Sequence, residues 1–268
     1  MVLDRKATLS LRALALGYLI ILLLIPLLLI FFRTFEDGVA AFWAQVTTPA
    51  SIAAIQLSLT IVAIAVPLNV IFGIVTALAL ARGRFPGRGI VQAIVDLPFA
   101  VSPVIVGVSL ILLWGTGGWL GGLAGLGIQV IFSLPGMVLA TIFVTLPFVV
   151  REVEPVLHEI GDEQEQAAAT LGASRMQTFW RITLPAIRWG LVYGVVLTVA
   201  RALGEFGALI VVSGAVSGES QTLTLLVHSR YIDDHNVFGA YAASTVLMAF
   251  AIVTLLLMTT LNRRRELE

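Results

Sequence analysis

The sequence predicts an all-α membrane protein of about six transmembrane helices with both termini in the cytoplasm, on three observations. Of its 268 residues, 59% are hydrophobic and 12% charged, and the mean hydropathy is +1.01. Such a chain cannot clothe a soluble surface. Apolar runs long enough to cross roughly 30 Å of hydrocarbon recur near residues 13–32, 51–81, 90–114, 134–150, 189–212 and 237–261. The sixteen Lys and Arg residues are unevenly spread. Arg5, Lys6, Arg12, Arg82, Arg84, Arg88, Arg151, Arg175, Arg181, Arg188 and Arg263 to Arg265 fall on the N-terminus, the 82–88 and 151–188 connectors and the C-terminal tail, against Arg33 and Arg230 in the other loops. An excess of basic residues marks the cytoplasmic side. Residues 1–268 therefore read as a single polytopic domain, with 151–188 as a cytoplasmic loop within it.

The first run has basic flanks like a secretory signal, but it is long and no small-residue cleavage site follows, so it reads as a retained helix. The second exceeds one bilayer crossing and calls for tilt or a kink. In the third, DLPFAVSPVIVG at 96–107 sets Asp96 beside Pro98 and Pro103. Those prolines interrupt helical hydrogen bonding, which is tolerated where a cavity or a neighbouring helix satisfies the backbone. Asp96 reads as a helix cap at the cytoplasmic end or as a polar group on a path through the membrane; the nearby start of the run favours the cap. Ser102 is a second polar candidate for that path. The glycine cluster GTGGWLGGLAGLG at 115–127 lacks the lysine and hydroxyl of a phosphate loop. It reads as a flexible non-cytoplasmic connector, with Trp114 and Trp119 as interfacial anchors.

The fourth run carries Pro135 at its start and Pro147 near its end, which weakens its helical continuity. In the fifth, a 1.5 Å rise from Trp189 places Arg201 about 18 Å along the helix, with Glu205 one turn further on the same face. Each charge costs roughly 2.5 to 3.5 kcal/mol to insert, so both should face protein or water. The pair reads equally as an internal ion pair that fixes helix rotation or as a site where Arg201 attracts an anion that Glu205 otherwise replaces. Gly204 and Gly207 flank Glu205, and Gly190 with Gly194 form a small-xxx-small pair suited to close helix packing.

Several chemistries are excluded. There is no cysteine, so no disulfide framework or thiolate metal site. His158, His228 and His235 are too scattered for a helical metal motif. Lys6 is the only lysine and lies near the N-terminus, so a phosphate-loop lysine is missing and any ATP hydrolysis belongs to another chain. No nucleophile is paired with a base, which argues against an enzyme, and no cofactor is expected in this chain.

The polar stretch EQAAATLGASRMQTFWRITLPA lies within the 151–188 connector. Asp162, Glu163 and Glu165 put negative charge on a first helical turn. Gly172 supplies a left-handed stop, Ser174 with Gln177 matches a capping box, and Pro185 turns the chain back. A short helix, a turn and a second helix result, with Ala167 to Ala169 giving the first a smooth face. On spacing alone, a re-entry loop lying on the lipid headgroups is the competing reading.

Ala167, Ala168, Gly172, Ile182, Leu184 and Pro185 fit the spacing of the cytoplasmic coupling loop in ABC importer permeases, Glu-Ala-Ala, three residues, Gly, nine residues, Ile-x-Leu-Pro. The Glu of that pattern is Gln166 here, with Glu165 one residue earlier. The stretches SLPGMVLATIFVTLPFVVREVEPVL at 133–157, ARALGEFGALIVVSG at 200–214 and TLTLLVHSRY at 222–231 resemble the sulfate/thiosulfate branch, W-type subunit.

The resemblance implies the type I ABC importer permease fold in a bacterial inner membrane. It also implies a second, T-type permease, two ATPase subunits that carry ATP and Mg, and an extracytoplasmic sulfate-binding protein; nucleic acid is not an expected partner. The expected coupling residues are Glu165, Gln166, Ala167, Ala168, Gly172, Ile182, Leu184 and Pro185. The expected path or gating residues are Arg201, Glu205, Gly204, Phe206, Gly207, Asp96 and Ser102. Molybdate permeases share ARALGEFG, which keeps a molybdate or tungstate importer open. A stand-alone anion channel or secondary transporter is the reading of a different class.

Overall fold

A computed structural model describes residues 5–265, with side chains over 9–260 apart from Ala124. The side chains of Arg5, Lys6 and Arg263 to Arg265, used above for orientation, lie outside the described residues. The chain is all helical, without strands among the described residues. Helix α1 (Leu9–Phe35) passes through a π-helical stretch at Ile20–Leu24, and none of its most apolar window is buried. Thr34 is its buried residue; its hydroxyl lies 2.8 Å from that of Thr245. Helix α2 (Val39–Val46) leads into α3 (Pro49–Arg82), which starts with Pro49 in its first turn and a Thr48 cap that accepts from the Ser51 amide. Its 34 residues make it about 51 Å long at 1.5 Å per residue.

The third apolar run is broken. Helices α4 (Arg88–Ala100) and α5 (Pro103–Trp114) meet at an angle of 114°, because Val101 and Ser102 are extended and Pro103 starts a new helix. The fourth run, weakened in sequence by its prolines, forms the core helix α6 (Leu134–Ile160), with Pro135 in its first turn and 56% of its most apolar window buried. It runs ten residues past the expected end at 150, so Arg151 to Ile160 are helical.

The connector then forms α7 (Glu163–Thr170) and α8 (Arg175–Ala186), and α8 meets α9 (Arg188–Leu203) at 70°. The fifth run also breaks: α9 stops at Leu203, and a single turn α10 (Leu209–Val212) follows. Helix α11 (Leu223–His228) continues as a π turn through Ser229–Asp233, and α12 (Val237–Arg265) closes the chain.

Two buried clusters lie along α6. In one, Met137, Ala140 and Val144 meet Ile61 and Ala65 of α3 and Leu209 and Val212 of α10. In the other, Val149, Val150, Val153 and Leu157 meet Ile74, Ala77 and Leu80 of α3 and Val95 of α4. In lipid such packing rests on close van der Waals approach. A Cβ on Gly73 would stand 2.6 Å from Val149 Cβ, one on Gly190 2.7 Å from the Glu152 carbonyl oxygen, and one on Gly194 3.0 Å from Val149 Cα. Between the clusters Asn69 donates to Thr145 Oγ1 at 2.6 Å, and Thr145 donates to the Thr141 carbonyl at 2.6 Å.

Candidate functional site

Gly161, at φ +69°, ends α6, and Glu163 and Glu165 occupy the first turn of α7. Gly172, at φ +82°, stops α7 with its amide on the Ala169 carbonyl at 3.0 Å, while Ala173 N–H donates to the Ala168 carbonyl at 3.0 Å. That left-handed step is cheap for glycine. The Ser174 amide donates to Gln177 Oε1 at 2.8 Å and the Gln177 amide to Ser174 Oγ at 3.3 Å, completing a capping box. Phe179 to Thr183 form a π turn before Pro185.

The two halves of this loop are cross-linked by Glu165. Its Oε2 lies 3.1 Å from Arg82 Nε, and its Oε1 accepts from the Thr183 hydroxyl at 2.8 Å. Gln166 and Ala167 point outward, Ala168 is half-buried, and Ile182 and Leu184 are half-buried beside exposed Pro185. Leu171 is 89% exposed, and Met176 and Trp180 are exposed on the same loop. The loop thus has a polar clamp inside and apolar side chains outside.

The second region is where the two broken runs meet. A Cβ on Gly207 would stand 3.0 Å from Pro103 Cβ, and one on Gly107 2.9 Å from both the Ala208 carbonyl oxygen and Val211 Cβ. The break after α9 therefore packs on the start of α5. Glu205 does not continue α9 on the face of Arg201, because the helix ends first. It lies 1% exposed in the break, where its Oε1 accepts from the Ala208 amide at 2.8 Å and its carbonyl accepts from the Thr224 hydroxyl at 2.7 Å.

The ion pair still forms. Arg201 Nη1 stands 2.6 Å from Glu205 Oε2, close but not aligned as a hydrogen bond, and the Arg201 side chain is 33% exposed where that of Glu205 is 0%. The carboxylate holds the break together while the Arg201 side chain stays partly open. Gly204 turns the chain out of α9, and Phe206 lies 5.3 Å from the His228 ring. Ser102 is exposed at the N-cap of α5 and makes no side-chain cap bond.

Asp96 is a correction. It is inside α4, not at a helix start, and its Oδ1 accepts from Arg151 Nε on α6 at 2.9 Å. The N-cap of α4 is Gly87. Asp96 thus belongs to a polar seam between α4 and α6, where Gln92 and Arg88 also approach Glu154 and Arg88 approaches His158. Among the described residues it makes no bond with Arg201.

Two arginines used in sequence only as topology markers turn out to hold the structure. Arg82 bonds Glu165 and the Leu157 and Gly161 carbonyls. Arg230, read as a loop residue, is 6% exposed; it donates to Ser51 Oγ at 2.7 Å, Thr48 Oγ1 at 3.0 Å and the Gly239 carbonyl at 3.1 Å. Burial lowers its pKa from the usual arginine value and the field of Asp234 opposes this; an arginine stays charged throughout. The sequence signal for Arg82 was its place at the end of a long apolar run. Arg230 had none, since its acceptors lie far away in the chain.

Comparison with known proteins follows the same lines. The profile of the family described as binding-protein-dependent transport system inner membrane component matches residues 69–267. The chain is 50% identical over 260 residues, 97% of its length and 94% of the relative, to the sulfate transport system permease protein CysW of Synechocystis sp.. It is 36% identical over 246 residues, 91% of its length and 88% of the relative, to the sulfate transport system permease protein CysT of Synechococcus elongatus. Its fold matches a chain in the crystal structure of a bacterial ABC transporter that imports the acidic polysaccharide alginate, with a TM-score of 0.78 at 19% identity over 96% of this chain and 94% of that one. At that identity the likeness speaks for the fold, the type I importer permease.

Proposed function

Because this chain belongs to the family of binding-protein-dependent transport system inner membrane components, we propose that it is one of two permease halves of an ATP-driven sulfate importer. The observation that carries the substrate is the 50% identity with a sulfate permease over 97% of the chain. The weaker, full-length likeness to the T-type permease supports a heteromeric pair over two copies of one chain. ATP and Mg reside on two separate ATPase subunits, and an extracytoplasmic binding protein delivers sulfate.

Transport proceeds by alternating access. Sulfate enters the outer mouth, closure of the ATPases around ATP moves the 162–185 loop, and the paired permeases change the side to which their cavity opens. In this reading both termini and that loop face the cytoplasm, and Leu171, Met176 and Trp180 cover part of the ATPase contact. Arg201 meets the dianion with the open part of its side chain, and the Arg201–Glu205 pair keeps the empty path neutral. One basic group on the path holds an anion loosely enough to release it. Co-purification tests the assembly: the chain should be retained with an ATPase and a second permease, and sulfate should outcompete molybdate for uptake. Sulfate uptake by vesicles holding this chain alone, without ATP, would sink the proposal.

A further inference from the structure

The covalent joints between the connector and the membrane helices are both bends. Gly161 has φ +69° between α6 and α7, and the 70° turn separates α8 from α9. A push on the loop could be absorbed at either bend. Arg82, the last residue of α3, braces the first. Its Nη1 donates to the Leu157 carbonyl at 2.8 Å before the bend and its Nη2 to the Gly161 carbonyl at the bend, while its Nε lies 3.1 Å from Glu165 beyond it. The other Glu165 oxygen takes the Thr183 hydroxyl at 2.8 Å, so the brace reaches α8 as well. The Arg82 and Glu165 side chains are 22% and 24% exposed, more sheltered from screening than a surface pair. The planar guanidinium, with its donors in a fixed fork, reaches all three acceptors at once.

The far end of α3 is bonded too. Arg230 donates to Thr48 and Ser51 in its first turn, and Ser58 Oγ accepts from the Leu223 amide at 2.9 Å. Thr224, next along, donates to the Glu205 carbonyl at 2.7 Å. Helix α3 therefore has one end fastened to the connector and the other to the segment that holds the Arg201–Glu205 break.

On the importer reading given above, we propose that Arg82 is a positioning residue for coupling: it turns displacement of the connector into displacement of α3, and through Ser58 and Leu223 into movement around Glu205. The side-chain brace carries motion past a joint that the backbone leaves bent.

The test uses the full complex of this chain, its partner permease, the ATPases and the binding protein in proteoliposomes, with sulfate taken up and ATP hydrolysed measured together. In assembled Arg82→Ala complex, sulfate carried per ATP should fall about tenfold, and in Arg82→Lys by less, the scale of change expected when a coupling contact is removed. An unchanged ratio in both single variants overturns the proposal. So does failure of both to assemble, which would make Arg82 a folding residue; if only the alanine variant fails to assemble, the ratio in Arg82→Lys decides. A wild-type complex that moves no sulfate with ATP sinks the importer reading itself, whereas a working wild type with unchanged variants sinks only the role of Arg82.

Discussion

At Glu205 one side chain serves backbone and charge together: Oε1 holds the Ala208 amide while Oε2 faces Arg201. Glu205→Ala should leave the buried Ala208 N–H without a partner, a loss of about 1–3 kcal/mol visible as a lower melting temperature of the purified complex. Arg201→Ala should act differently, because its side chain is one-third exposed. Sulfate flux should drop while the complex still assembles; loss of the folded complex would instead make the pair purely structural. Gly172 has open space around it but φ +82°, so Gly172→Val should cost about 1–2 kcal/mol in the left-handed region. The chain should still insert, and ATP hydrolysis stimulated by the binding protein should fall; normal stimulated turnover would count against loop docking. The Ser174 and Gln177 cap was legible because both partners lie within one turn. The burial of Arg230 was not, since its acceptors come from Thr48, Ser51 and Gly239 and only the fold assembles them.

Among the elements, the long uninterrupted runs read correctly as helices because hydropathy and length alone specify α1, α3 and α12. The interrupted ones depended on contacts. Pro98 and Pro103 announced a weak third run, and the 114° bend falls at extended Val101 and Ser102, with Pro103 and Gly107 beyond it packed on the chain around Gly207 and Ala208. In the fifth run Gly204 and Gly207 bracket the break, and the bonds made by Glu205 and Thr224 hold the segment between α9 and α10. Pro147 misled in the opposite direction: neighbouring α3, α4 and α9 enclose α6 and stabilise a helix that its prolines would weaken alone. Close packing there has no slack. Gly73→Val would drive a Cβ into Val149, now 2.6 Å from where that atom would sit, and overpacking of this kind should cost about 1–3 kcal/mol. Thermal unfolding in detergent should show the loss, with no change in the substrate the surviving complex prefers.

For the whole molecule, the fold and family were legible from composition, basic-residue asymmetry and the spacing of Ala167, Ala168, Gly172, Ile182, Leu184 and Pro185. How the parts communicate was not. Glu165, one residue before Gln166, stands against Arg82, and only the fold brings α3 to that point. The resulting molecule is a bundle around α6 in which α3 connects the loop to the crossing of the broken runs, and that connection is useful only if ATP use and anion movement are linked. Uptake of radiolabelled sulfate into proteoliposomes holding the complete complex tests this most directly, with binding protein outside and ATP supplied to the ATPases. Uptake should require both ATP and binding protein and stop when either is withheld. Equal uptake without ATP would contradict this dependence.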